Sequence, residues 1–485
     1  MKGFFYSLAL LAFTKFVQSA DLPAIEVKGN AFWDTENNQR FYIRGVDYQP
    51  GGPSNLIDPL ADKEVCERDI KLFEELGINT IRIYSVDSTQ DHDYCMNLLT
   101  KAGIYLVLDL NLPGVSLNRE SSRIECSYNQ YYLRELFGTI DAFSSYTNVL
   151  GYFAANEVIN DDETTNTAPY IKAVVRDLKN YMKSRKYRQV PVGYSAADVE
   201  ENREEVAAYF NCGTDEMARS DFLGINDYSW CGESTFKKSG WDKKVKMYEN
   251  YSIPIFLSEF GCNEVKESRP FNEIEALYSK DMTHVFSGGL VYEYSMEDNN
   301  YGLVEINDDE SIKKLSDFEN LKKMYASVSN PSGDGGYTES NNISTCPSSS
   351  TNWEPSARGS LPDMPEGAED YLKNGAGEVF GFDLENSQWM CYEGADADAS
   401  AAYIDGVTGG AGSSTRRSSS RSSSGSSSAA DSDDETSSVS TSSADAASNL
   451  YNPVRNLLNN HNYDASITVS VIGFISALTY ISLML

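Results

Sequence analysis

Between residues 22 and 330 the sequence alternates eight apolar runs with amphipathic stretches, and this alternation limits the possible folds more than any other feature of the chain. The runs span 41–48, 78–86, 103–111, 149–158, 190–198, 222–230, 253–263 and 290–296. Several are apolar continuously, as strands covered on both faces are. Helical spacing fills the gaps: Ile171, Val174, Val175, Leu178 and Met182 fall at i, i+3, i+4, i+7 and i+11. Cys66, Ile70, Phe73 and Leu76 line a second such face, which stops at Gly77, a residue suited to a left-handed cap. Eight strand and helix units over about 250 residues predict an α/β fold of the (β/α)8 TIM-barrel kind. A doubly wound sheet is the alternative, disfavoured because no GxGxxG turn follows the first run.

The flanks read differently. Residues 1–20 predict a secretory signal peptide: Lys2 precedes an apolar run, and small Ser19 and Ala20 offer cleavage before Asp21. The barrel is expected over 21–330, followed at 331–411 by a small appendage packed on or near it, for which Tyr371, Phe380, Phe382, Trp389 and Cys391 supply apolar contacts. Residues 412–448 are almost all Ser, Ala, Thr, Arg and Asp, too polar to bury a core, and predict a disordered, O-glycosylated stalk. Residues 449–485 end in an apolar tail with no following charge, preceded by a polar stretch around Asn459, Asn460 and His461. That order predicts a GPI-attachment signal, mostly removed, with the anchor on Asn449 or in the Asn459 region. The expected product is extracellular and lipid-anchored.

A net charge of -32 excludes nucleic acid as a partner and suits a neutral polysaccharide. With three histidines, one of them His461, and no zinc-like cysteine spacing, neither metal nor cofactor is expected. Eight cysteines in a secreted chain of this length imply a few reinforcing disulfides. Asn250-Tyr251-Ser252 and Asn342-Ile343-Ser344 are N-glycosylation sequons.

In such a barrel, reactive groups come from the C-terminal ends of strands. The fourth run ends in Ala155-Asn156-Glu157 and the seventh in Ser258-Glu259-Phe260. Burying an unpaired carboxylate is costly, so two in matching positions point to a two-carboxylate glycosidase, with Asn156 placed to grip the sugar 2-OH. Tyr84, Tyr228, Trp230, Tyr292 and Tyr294 stand at other strand ends, where a flat ring with a polar edge suits a glycan cleft.

The motifs GVDYQPGG (45–52), NTIRIYS (79–85), VLDLN (107–111), NEVIN (156–160), VPVGYSAAD (190–198), NDYSWCG (226–232), FLSEFGCN (256–263) and FSGGLVYEY (286–294) cover most of the barrel region. Together they resemble the fungal β-1,3-glucanosyltransferases of the Gas/Phr type, glycoside hydrolase family 72, and within it the yeast Gas5 type without the cysteine-rich carbohydrate-binding module. Ala155 and Phe260 depart from the Gly and Tyr that many members carry.

The resemblance implies a retaining enzyme that cleaves internal β-1,3-glucan bonds and transfers the new reducing end to the non-reducing end of another glucan. Such an enzyme elongates cell-wall glucan from the plasma membrane or the wall, and a monomer is expected. The resemblance makes Glu157 the acid/base and Glu259 the nucleophile. It draws donor contacts from Tyr84, from the segment Asn111 to Arg119 with Asn118 in it, and from Tyr292. Acceptor contacts fall on Asp198 and Arg203, and Gln49, Asp109 and Tyr228 match cleft positions. It also implies the disulfides Cys66–Cys95, Cys212–Cys346 and Cys231–Cys262. Cys126 and Cys391 are left over, and only elimination pairs them. An endo-β-1,3-glucanase using the same glutamates is the first alternative. A non-catalytic wall-glucan-binding protein is the second, disfavoured by the presence of both glutamates and Asn156.

Overall fold

The computed structural model describes residues 22–388 apart from Asn341 and Glu385. The segments expected to form a leader, a stalk and an anchor signal, and the end of the expected appendage with Trp389 and Cys391, lie outside the described residues. Eight parallel strands form a closed barrel: β1 (Ile43–Asp47), β2 (Thr80–Ile83), β3 (Tyr105–Asp109), β4 (Val149–Asn156), β5 (Val192–Ala197), β6 (Phe222–Cys231), β7 (Ile255–Cys262) and β8 (Phe286–Val291). Each pairs with the next in chain order, and β8 pairs with β1. A helix follows every strand: α1 (Lys63–Leu76), α2 (Asp93–Ala102), α3 (Gln130–Phe143), α4 (Ala168–Arg185), α5 (Arg203–Phe210), α6 (Trp241–Tyr248), α7 (Glu273–Leu277) and α8 (Ser316–Ser327).

Local chemistry accounts for the helix ends. The Asp62 carboxylate accepts from Val65 N at the start of α1, satisfying a donor that has no partner inside the helix. Gly77 ends α1 with φ 72°, a conformation that costs other residues energy. Cys66, Ile70, Phe73 and Leu76 are buried on one face of α1, as are Ile171, Val174, Val175, Leu178 and Met182 on α4.

The eighth strand lies earlier than its apolar pattern suggests, at 286–291 rather than 290–296. It runs through Ser287, Gly288 and Gly289, residues a hydropathy pattern passes over. Gly288 has φ 92°, and a Cβ there would lie 2.0 Å from Ile43 O, so only glycine lets β8 approach β1 closely enough to close the barrel.

A three-stranded antiparallel sheet (Ile25–Lys28, Ala31–Asp34, Gln39–Phe41) precedes the barrel. Its Phe32 ring packs on Phe222 and Phe256, near the starts of β6 and β7, with centroids 5.9 and 6.0 Å away. These residues join Ile43, Val107, Leu150 and Phe153 in a buried cluster that fills the barrel below the C-terminal ends of its strands. Each such ring contributes about 1.5–3 kcal/mol through burial.

The chain beyond α8 crosses the helices of one side. Cys346 is disulfide-bonded to Cys212, and fully buried Trp353 sits 5.3 Å from the Tyr209 ring of α5. On α4, Arg176 Nη1 donates to Pro362 O at 2.7 Å and Tyr181 OH accepts from Ala376 N at 2.9 Å. On α3, Glu135 Oε2 accepts from Phe380 N at 2.9 Å. Two further disulfides join α1 to α2 through Cys66 and Cys95, and the ends of β6 and β7 through Cys231 and Cys262. No helix among the described residues is long and apolar enough to cross a membrane.

Replacing Gly288 with alanine should lower stability by about 2–5 kcal/mol, from backbone strain and overpacking at the barrel seam. Urea unfolding measures this, and an unmoved midpoint would show that the seam tolerates a side chain.

Candidate active site

At the C-terminal mouth of the barrel a single guanidinium organises the polar residues. Arg82, fully buried on β2, has five N–H donors, and each meets an acceptor. Nε and Nη2 bind the two oxygens of Asp109 at 2.9 Å each. Nη1 donates to Glu259 Oε1 and to Ser258 O, both at 3.2 Å, and Nη2 donates also to Asn156 Oδ1 at 3.0 Å. The group lies 4.2 Å from the Tyr84 ring centroid and 4.6 Å from that of Phe153. Four strands, β2, β3, β4 and β7, are thereby tied to one charge.

Glu259, 1% exposed at the end of β7, is held on both oxygens. Oε1 accepts from Tyr84 OH at 2.9 Å in addition to Arg82, and Oε2 accepts from Tyr228 OH at 2.7 Å. Phe260 turns to the other side of the strand, where its ring lies against Gly289, so a hydroxyl on it would face away from Glu259.

Glu157 follows β4 with φ 47°, a region that residues other than glycine seldom occupy, and such outliers cluster at functional sites. Its Oε1 accepts from Asn226 Nδ2 at 2.9 Å. The Asn226 amide is oriented by two hydroxyls, Ser195 Oγ and Ser258 Oγ, which donate to its Oδ1 at 3.1 and 2.7 Å. Its NH2 end therefore points to Glu157 and to Asn156 Oδ1, 3.2 Å away.

The two glutamates differ electrostatically. Burial pushes the Glu157 carboxyl up to about 7, and the charge of Glu259 adds to the rise, against Asn226, Arg119 and Arg82. Burial also raises Glu259, but Arg82, Tyr228 and Tyr84 favour its ionised form. These contacts favour the charge on Glu259 and the proton on Glu157. Asp47, fully buried on β1, has no hydrogen bond to either carboxyl oxygen because the Arg82 donors are already taken, and burial raises it well above the carboxylate range.

Tyr84 and Tyr228 each meet Tyr292 edge to face, at centroid separations of 6.4 and 6.3 Å, and Tyr301 meets Tyr228 and Tyr292 at 5.6 and 5.2 Å. Tyr294 and Trp230, expected beside them, are elsewhere. Tyr294 lies three residues beyond the end of β8, where its N still donates to Asp47 O at 2.9 Å but its ring packs on Tyr48 and Phe73 with the hydroxyl on Asp69 at 2.8 Å. Trp230 packs at a tilt against Trp241 of α6, with ring centroids 5.0 Å apart.

Other site residues act from behind the cleft. Gln49 Oε1 accepts from Tyr84 N and Ser85 N while Nε2 donates to Ile57 O, so its amide fixes the backbone under Tyr84. Asn111 is buried with its Oδ1 unpartnered, and Arg119, whose Nε is unpartnered, lies near enough for its charge to act on Glu157. Asn118 turns to Gln388. Asp198 forms ion pairs with Arg203 at 2.9 Å and Lys244 at 2.5 Å, and Lys244 reaches Asp227 at 2.6 Å. Arg82, Asn226 and Tyr301 were not singled out as site residues from the sequence. The signal available was their position in or beside the motifs already read, 79–85 and 226–232 for the first two.

The profile of one protein family, described as glucanosyltransferase, matches residues 14–329. The 1,3-beta-glucanosyltransferase GAS5 of Saccharomyces cerevisiae is 59% identical over 371 residues, 76% of either chain. The 1,3-beta-glucanosyltransferase gel1 of Aspergillus fumigatus is 55% identical over 363 residues, 75% of this chain and 78% of that one. Among solved structures, a Saccharomyces cerevisiae Gas2p mutant in complex with laminaritetraose and laminaripentaose superposes with a TM-score of 0.65 at 43% identity, covering 71% of this chain and 75% of that one.

If the charge of Glu259 contributes to the raised Glu157 carboxyl, Glu259→Gln should lower it from about 7 toward the ordinary range. Carbon-13 NMR titration of labelled glutamate reads this directly, and a value that stays put would assign the whole rise to burial.

Proposed function

The chain belongs to the glucanosyltransferase family, glycoside hydrolase family 72, and on that premise we propose that it is a retaining 1,3-β-glucanosyltransferase with Glu259 as nucleophile and Glu157 as acid/base. The observation that carries the assignment is the opposite treatment of the two buried carboxyls: three donors favour the ionised form of Glu259, while Glu157 shares one amide.

In the first step Glu259 attacks the anomeric carbon of an internal β-1,3-linked glucose, and Glu157 gives its proton to the glycosidic oxygen. The reducing-end fragment leaves and a glycosyl ester remains on Glu259. Asn156 Oδ1 is occupied by Arg82 and Asn226, so its NH2 is the end left to meet the sugar 2-OH. In the second step Glu157, now a base, takes the proton from the 3-OH at the non-reducing end of another glucan, whose oxygen displaces Glu259. Water in place of that hydroxyl gives hydrolysis with the same residues. Asp198 and Arg203 are proposed to face the acceptor, and Tyr84, Tyr292 and the 111–119 segment the donor.

Glu157→Gln should reduce transfer by about 10²- to 10⁴-fold with an unchanged circular dichroism spectrum, and Glu259→Gln should do at least as much. Incubation with a defined laminari-oligosaccharide gives the readout: longer products from wild type support transfer, only shorter ones would make it a hydrolase. Near-normal products from either variant would remove the assignment.

The ends of the sequence support secretion and a GPI anchor at the cell surface. Deleting residues from about 465 onward should release active enzyme into the medium, since such an anchor signal is read separately from the folded domain. Activity that stays with the cells would contradict the anchor.

A further inference from the structure

After crossing α5, α4 and α3, the chain returns to the catalytic face at residues 386–388. There Ser387 N donates to Gly114 O at 2.9 Å and Ser387 O accepts from Asn129 Nδ2 at 2.8 Å, so the buried Ser387 is held on both sides of its backbone. Gln388 Nε2 donates to Ser116 Oγ at 2.7 Å, and its Oε1 accepts from Asn118 Nδ2 at 3.3 Å. Three of these four bonds fall on alternate residues, 114, 116 and 118, of the loop that follows β3.

That loop has little regular structure of its own, only the paired Leu112 and Val115 backbones. Its far end is set by Asn118 N, which donates to Ser127 Oγ at 2.8 Å. The next residue is Arg119, the cation whose charge acts on Glu157. The strap contacting the loop is itself fixed upstream by the Cys212–Cys346 disulfide, by Trp353 and by Glu135. It is therefore an anchored brace, applied from outside the barrel to a loop beside the acid/base.

We propose that this C-terminal strap, through Ser387 and Gln388, is a positioning element that holds the 111–119 loop in its donor-binding shape and so sets the preference for donor length. The proposal rests on the reading above that this loop meets the donor glucan. Single hydrogen bonds of this kind are too weak to hold a barrel together, but they suffice to select one conformation of an irregular loop. Gln388 touches neither glutamate and is a positioning residue rather than a catalytic one.

The test uses the full chain with Gln388→Ala and Gln388→Glu, assayed on laminari-oligosaccharides of increasing length, with kcat and KM separated and thermal midpoints recorded. Gln388→Ala should raise KM for long donors roughly three- to tenfold, what a hydrogen bond contributes, with kcat and midpoint little changed and short donors affected less. The Gln388→Glu carboxylate can accept from both Ser116 Oγ and Asn118 Nδ2, and it should restore most of the affinity. The same comparison in a Glu157→Gln background, reading binding of the oligosaccharides without turnover, should give a matching loss of affinity. KM and Kd unmoved at every length would overturn the proposal, as would a uniform loss tracking a lowered midpoint that Gln388→Glu does not restore. Absence of longer products from wild type would instead count against the transferase reading, and the binding arm still decides the role of the strap.

Discussion

The buried charge of Arg82 is the constraint around which the catalytic face is arranged. A guanidinium taken out of water must have its charge balanced and all five donors used, and here it has both. Asp109 balances the charge with a bidentate pairing, which leaves Glu259 a single bond at 3.2 Å and frees its remaining lone pairs for two tyrosine hydroxyls. Were the full fork spent on Glu259, fewer of its lone pairs would be open to the two tyrosines. The same saturation explains why Asp47, in register with Arg82 on the neighbouring strand, is left without a hydrogen-bond partner.

The glutamates were legible in the sequence because each ends an apolar run, and in a barrel that position alone places a side chain at the mouth. The groups that tune them were not. Arg82 sits inside an apolar run, where one polar residue signals nothing until its partners, 27, 74 and 177 residues away, are known. Asn226 likewise acts through Ser195 and Ser258, which come from two other strands. Tyr294 was misplaced for a related reason: Gly288 and Gly289 shift the eighth strand toward the N-terminus, so Tyr294 lies beyond its end and its ring packs against Phe73 of α1. Hydropathy locates strands by what they bury and is blind to a strand whose role is close approach.

The tail segment was harder still to read. Its attachment relies on backbone groups meeting side chains of the barrel helices, with Trp353 as the main buried ring, and neither periodicity nor composition records such contacts. A (β/α)8 barrel positions its loops only at their ends, so a long loop such as 111–119 needs a brace from outside the repeating unit. The strap supplies one, and the oriented amide of Asn226 does the equivalent for Glu157 from within.

The Cys212–Cys346 bond has a bearing on the unfolded chain. The 134-residue loop it closes contains β6, β7 and β8, the strands that bring Tyr228 and Glu259 to the mouth and lead into Tyr292. In the chain-entropy account a closure of that length removes about 5 kcal/mol of disorder from the denatured ensemble. That third of the barrel would then open into a ring and not a free tail, its ends still at the edge of α5. On refolding, the strands that carry Tyr228 and Glu259 would start from an ensemble that is already partly gathered.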